Sequence, residues 1–226
     1  MRGKVMSLED YKRVLDVFRD WVYQKHGKDE RLYLIISGGE PSIVNNLRDY
    51  VDLAKELRYI VTIVTNAYNP YNVINSEPDL IEVSMDFADP RKHDFHRGVV
   101  GLWDRAKFII ENYRNVCIRS TWIKTNTNDI IKIKKMFKCP VVASPYIFQR
   151  NGKYYKLSFD LMTKLKFKIN GIITPKQCDH SRFATVDPYM NVLLCPFVRI
   201  NVGELSFRTL NKLSEIICPA KPTSGI

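Results

Sequence analysis

The chain has 226 residues, with 35 Lys and Arg against 24 Asp and Glu, a length that suits one large domain or a main domain with a small appendage. A composition that is 45% hydrophobic and 12% aromatic, with ten glycines and eleven prolines, can bury a sizeable core and excludes the disordered, collagen-like and disulfide-miniprotein classes. No stretch approaches the roughly 18 to 20 continuous apolar residues of a spanning helix, and residues 1–10 hold no apolar signal core, so a cytoplasmic setting away from membranes is expected.

Ser7 can cap a first helix whose apolar residues Leu8, Tyr11, Leu15, Phe18 and Val22 recur at helical spacing, with Gly27 to close it. Residues 32–37 (LYLIIS) form a short continuous apolar run of the buried parallel-strand kind. Gly-Gly-Glu-Pro and a helical pattern through Leu53 and Leu57 come next, then a second strand at 60–65. The alternation continues with a strand at 80–86, a helix near 99–113, a strand at 115–123, a helix at 129–137 and a fifth strand at 141–148. This order predicts an α/β fold, a parallel sheet with helices outside, and five strands are too few to close a barrel. Beyond Gln149 we expect a turn at Asn151-Gly152, a helix opening at Ser158 and a short strand at Ile172 and Ile173. The residues from Cys178 onward read as a small appended module. The chain therefore divides into a core at 1–150 and an extension at 151–226.

The net charge of +11 is local. Residues 130–176 hold eleven basic side chains and one acid, Asp160, which leaves the rest of the chain near neutrality. A lysine-rich solvated helix surface is the plain reading. A nucleic-acid stripe would interleave aromatic residues, and these are sparse there in the sequence. The five cysteines, at 117, 139, 178, 195 and 218, are odd in number and widely spaced, which favours thiols or metal ligands over a disulfide framework. Cys117 and Cys139 are most simply small core hydrophobes.

In parallel α/β folds the chemistry sits beyond the carboxyl ends of the strands. Those ends are polar here: Ser37, Gly38, Gly39, Glu40 and Pro41 after the first, Asn66, Ala67 and Tyr68 after the second, Ser84, Met85 and Asp86 at the third, Lys124 and Asn126 near the fourth. Paired glycines let a ligand approach the backbone, Pro41 suits the first turn of a helix, and Glu40 could accept hydrogen bonds from an ammonium group. His93 and His96 fall in a loop-like stretch after Asp89-Pro90 and read as a solvated or substrate-proximal pair rather than as metal ligands.

Gly38-Gly39-Glu40-Pro41, Thr65-Asn66-Ala67, and Ser84-Met85-Asp86 followed by His93-Asp94 and Arg97-Gly98, in that order, resemble the radical S-adenosylmethionine (radical SAM) superfamily. The resemblance runs from about Ser7 to Phe148 and implies a partial (β/α) TIM-like barrel, here lacking its first strand, with a small C-terminal extension. It implies S-adenosylmethionine as cofactor, contacted by Gly38, Gly39, Glu40, Thr65, Asn66 and Ser84. Arg97 and Asn126 fall in recurrent family positions. The implied activity is reductive cleavage of S-adenosylmethionine to a 5′-deoxyadenosyl radical, which abstracts hydrogen from a peptide or a small anionic substrate. An electron donor is implied as partner.

The family's radical-generating 4Fe-4S cluster is held by three cysteines, usually Cys-x3-Cys-x2-Cys, before the first helix, and no cysteine precedes Cys117 here. Two expectations follow. Either a longer natural reading frame supplies that loop, or the scaffold persists as a binding module, with nucleic acid on the basic 130–176 segment as its partner. Deleting a strand also predicts an exposed apolar edge near residues 32–37. Finally, Cys178-Asp-His-Ser-Arg, then a stretch from Ala184 through Cys195-Pro196, then Asn201-Val-Gly203, resembles a reduced SPASM or Twitch extension. It implies Cys178, Cys195 and Cys218 as ligands of an auxiliary cluster, with His180 or a substrate completing the set. The usual Pro-Asp-Gly turn is replaced here by residues that include Tyr189 and Met190.

Overall fold

The computed structural model describes residues 4–174, 183–213 and 215–223. The first helix, α1 (Leu8–His26), starts at Ser7, whose hydroxyl accepts the Asp10 amide, and ends at Gly27 with φ 95°. Tyr11, Leu15, Trp21 and Val22 form its buried stripe. β1 (Leu32–Ile36) follows, then a short 3-10 turn at Pro41–Ile43 and α2 (Leu47–Glu56). β2 (Tyr59–Thr65), α3 (Pro70–Asn75), β3 (Leu80–Ser84), α4 (Pro90–Arg97) and α5 (Leu102–Asn112) continue the alternation. It closes with β4 (Val116–Trp122), α6 (Thr127–Met136) and β5 (Val141–Pro145).

The five strands pair in sequence order, all parallel, as a curled half-barrel. Period-two alternation separates two faces. Val61 and Ile63, Ile81 and Val83, and Val116 and Ile118 are buried beneath the helices, each contributing roughly 1.5 to 3 kcal/mol of apolar burial. The residues in phase between them, including Thr62, Val64, Glu82, Ser84, Arg119, Thr121 and Ser144, are half-buried on the concave side. β1 is an edge strand, and there Tyr33 and Ile35 stand 62% and 59% exposed.

Several boundaries differ from the sequence reading. The helix expected near 99–113 is α5, and a further helix, α4, precedes it; Gly98 (φ 74°) and Gly101 (φ 82°) both take left-handed backbone between the two. His93 and His96 lie on α4, not in a loop, because Asp89 caps that helix through the Lys92 amide and Pro90 occupies its first turn. His93 is fully buried, not solvated. The fifth strand stops at Pro145, and Tyr146 separates it from the hairpin of β6 (Ile147–Arg150) and β7 (Lys153–Leu157). Asn151 and Gly152 form the hairpin turn with φ of 50° and 70°, as a two-residue turn of mirror type requires. The next helix, α7 (Leu161–Ile169), starts at the Asp160 cap rather than at Ser158. Ile173 makes one parallel bridge to Val142 instead of a strand.

Beyond this, β8 (Thr185–Val186), β9 (Asn191–Leu193) and β10 (Asn201–Glu204) form a small antiparallel sheet. α8 (Phe207–Leu213) follows, and β11 (Lys221–Thr223) pairs with β7. Asp187 accepts the Tyr189 and Asn191 amides, and Met190 takes φ 64° in the turn between β8 and β9, a conformation usually given to glycine. The indole N–H of Trp21 on α1 donates to the Asn211 side-chain oxygen at 2.8 Å, joining α8 to the first helix. No helix among the described residues is long and apolar enough to cross a membrane.

Candidate functional site

The carboxyl ends of β1, β2, β3 and β4 share one mouth, and a carboxylate ties the first two together. Glu40 caps the Pro41–Ile43 turn: its Oε1 accepts the Ser42 amide at 2.9 Å and the Thr65 hydroxyl at 2.5 Å, and its Oε2 accepts the Asn66 amide at 2.7 Å. An ionised carboxylate has about four acceptor positions. Three are filled by the protein, so one acceptor position on Oε2 remains for a cationic donor. Gly38 has φ 121°, and a Cβ added at Gly38 or at Gly39 would meet nothing within 4 Å. The loop thus presents bare backbone to open space.

Thr65 is buried and positions the others: its oxygen also accepts the Ala67 amide at 2.9 Å, and Ala67 takes φ 66°. Asn66 is half-buried, and its Oδ1 accepts the Tyr68 amide at 2.9 Å. Ser84 sits one position beyond Val83, which pairs with Thr65, and is itself the register partner of Arg119. Of the sequence-derived set, the structure places Gly38, Gly39, Glu40, Thr65, Asn66 and Ser84 on this one rim, with Glu40, Thr65 and Asn66 in direct hydrogen-bond contact.

The third strand end is built around Asp86, 1% exposed. Its Oδ1 accepts the Thr121 amide at 2.7 Å. Arg97 Nη2 lies 2.7 Å from Oδ2, off the line of a hydrogen bond, so the contact is an ion pair, and His96 Nε2 lies 3.8 Å away. The Asp86 amide donates to His93 Nδ1 at 3.2 Å. This leaves the proton on Nε2, which is buried without a hydrogen-bond partner. Burial, and after it the Arg97 charge, lower the His93 pKa to about 4. Asn126 is buried and spent: its amide donates to the Asp86 and Thr121 carbonyls, and its oxygen accepts the Ile123 amide. It clasps two strand ends rather than reaching into the mouth. Asp94 leaves α4 to accept the Gly101 and Trp103 amides at 2.5 and 2.9 Å, capping α5.

Sequence reasoning missed a polar row on the concave face. Arg119 Nε donates to Glu82 Oε2 at 2.5 Å, and its Nη1 donates to Ser144 Oγ at 3.0 Å. The signal was present as Cys117, Arg119 and Thr121 in alternating phase along β4.

The chain is similar in fold to three crystal structures of Streptococcus suis SuiB, among them one bound to S-adenosylmethionine and one bound to precursor peptide SuiA. Identities are 16%, 15% and 14%, with TM-scores of 0.63, 0.64 and 0.65. Each covers 94% of this chain, which spans about 60% of the length of SuiB. These likenesses show the fold, a partial TIM-like barrel. No family model matches the chain, and no curated protein matches it in sequence.

Cys178 lies outside the described residues, as does His180. Cys195 is buried just past β9, where the Val198 amide donates to its Sγ at 3.1 Å, and Cys218 is half-buried. Among the described residues no three His, Cys, Asp or Glu side chains gather as a metal-holding group.

Proposed function

We propose that this chain is the barrel portion of a radical SAM enzyme and binds S-adenosylmethionine at the rim formed by Gly38, Gly39, Glu40, Thr65, Asn66 and Ser84. One observation carries the reading: Glu40 is fixed by Thr65 and Asn66 with one acceptor position of its carboxylate still open, beside a glycine pair with free space around it. An ammonium group suits that acceptor, and a nucleoside can approach the bare loop closely. The SuiB structure bound to S-adenosylmethionine supports the ligand, and the one bound to SuiA supports a peptide as substrate, with a small anion as the other class.

Bound there, S-adenosylmethionine would supply a 5′-deoxyadenosyl radical on reductive cleavage, for hydrogen abstraction from a substrate, with an electron donor as partner. The residues of this chain bind and orient the nucleoside, and the curled sheet shields it from water. They do not fit the radical-generating cluster. No cysteine precedes Cys117, and Cys117 lies within β4, its thiol pushed up to about 11 by burial and next by the Glu82 carboxylate, away from the thiolate a cluster needs. In the reading proposed here, residues 151–226 form a reduced SPASM-like extension. Cys195, whose Sγ accepts the Val198 amide, would hold an auxiliary cluster there together with Cys178 and Cys218. A second reading is a catalytically silent scaffold that serves as a binding module. Release of 5′-deoxyadenosine from the reduced, iron- and sulfide-reconstituted product of any longer natural reading frame separates the two.

Calorimetric titration tests the binding claim. S-adenosylmethionine should bind the 226-residue chain, and Glu40→Gln should weaken it about tenfold, the effect of removing one charge-assisted hydrogen bond. Equal affinity in the two proteins would reject the assignment.

A further inference from the structure

The β6–β7 hairpin combines two features that the sequence order disguises. Pairing of Phe148 with Tyr155 and of Arg150 with Lys153 sets these four side chains on one face of the ribbon. Tyr146 joins that face, because the Leu157 amide donates to its carbonyl. The Tyr146 and Phe148 rings stack at 5.9 Å and 16°, and the Phe148 and Tyr155 rings at 5.5 Å and 21°. Aromatic residues that look sparse along the chain therefore form a continuous row, with Tyr146 41% exposed at one end and Arg150 and Lys153 exposed at the other.

The surroundings are positive. None of the described basic side chains of residues 130–176 has an ion-pair partner among the described residues, and the segment's one acid, Asp160, is occupied in capping α7. At the hairpin end a groove of about 460 Å³ carries Gln149, Lys153 and Tyr154 on its walls, a volume within the range of small-ligand sites.

We propose that this hairpin is a binding site for single-stranded nucleic acid, in which Tyr146, at the open end of the stacked row, offers a ring face to a base and Arg150 and Lys153 pair with phosphates. Unpaired positive charge alone would suit any polyanion. The parallel rings beside it favour a strand of bases over an acidic peptide, since every base has a face to stack and a glutamate run has none.

The experiment is fluorescence anisotropy of the 226-residue chain with a short labelled oligouridylate, at low and at physiological salt. Binding should weaken as salt rises. Arg150→Gln with Lys153→Gln should reduce the salt slope by about two. Tyr146→Ala, at an exposed position that leaves the fold unchanged by circular dichroism, should weaken binding about fivefold or more. No binding at low salt overturns the proposal. So does binding that Tyr146→Ala leaves unchanged, or that polyglutamate displaces as well as unlabelled oligouridylate does, since either marks a mere polyanion surface.

Discussion

The Thr65 hydroxyl donates to Glu40 Oε1 at 2.5 Å, and the same oxygen accepts the Ala67 amide, so one buried hydroxyl fixes both a carboxylate on the first strand's loop and a left-handed turn after the second. Thr65→Val keeps the shape and removes both bonds. It should lower stability by about 1 to 2 kcal/mol, measured by urea denaturation, because a buried amide loses its acceptor. An unchanged midpoint would mean that water replaces the hydroxyl.

Asp86 is buried against Arg97 and the Thr121 amide. Asp86→Asn removes the negative partner and leaves the guanidinium uncompensated, at a cost of about 3 kcal/mol. Loss should appear as a lower thermal midpoint. A variant as stable as the native chain would show that Arg97 simply swings into solvent.

His93 gives the fold a defined pH dependence. Its folded pKa of about 4 lies below the ordinary value of 6.5, so between those values the unfolded chain binds a proton that the native chain refuses. The contribution is complete above pH 6.5 and is lost as pH falls toward about 4, with a slope of at most about 1.4 kcal/mol per pH unit. His93→Gln, whose side-chain oxygen can still accept the Asp86 amide, should flatten the stability profile across that window. Parallel profiles for the two proteins would contradict this.

Asp94→Ala should cost about 1 kcal/mol, because α5 begins at Gly101 with no side chain of its own to cap it and depends on Asp94 from the preceding helix. Denaturation midpoints of Asp94→Ala and Asp94→Asn would distinguish a lost cap from lost charge, since asparagine caps nearly as well as aspartate.

Much of this fold was legible because parallel strands buried on one face and half-buried on the other still read as apolar runs, as residues 59–65 do. Gly38 through Pro41 and Thr65 through Ala67 marked the rim because strand ends with glycine and short polar groups are poor core material. What stayed hidden depends on pairing. The α4 helix is short and highly polar, so its signal was its Asp89-Pro90 start rather than periodicity. The ring row of Tyr146, Phe148 and Tyr155 exists only once the hairpin register brings the third ring across. Arg119 was overlooked in an otherwise apolar strand, although its phase with Thr121 placed it on the concave side.

Gly39→Val tests the site most directly. Its backbone is not in the left-handed region and a Cβ there meets nothing within 4 Å, so the variant should fold with native circular dichroism and thermal midpoint. If a sulfonium nucleoside lies against that loop, the branched side chain occupies its place, and the dissociation constant for S-adenosylmethionine should rise at least about tenfold. A well-folded Gly39→Val protein that binds S-adenosylmethionine as tightly as the native chain would contradict the account.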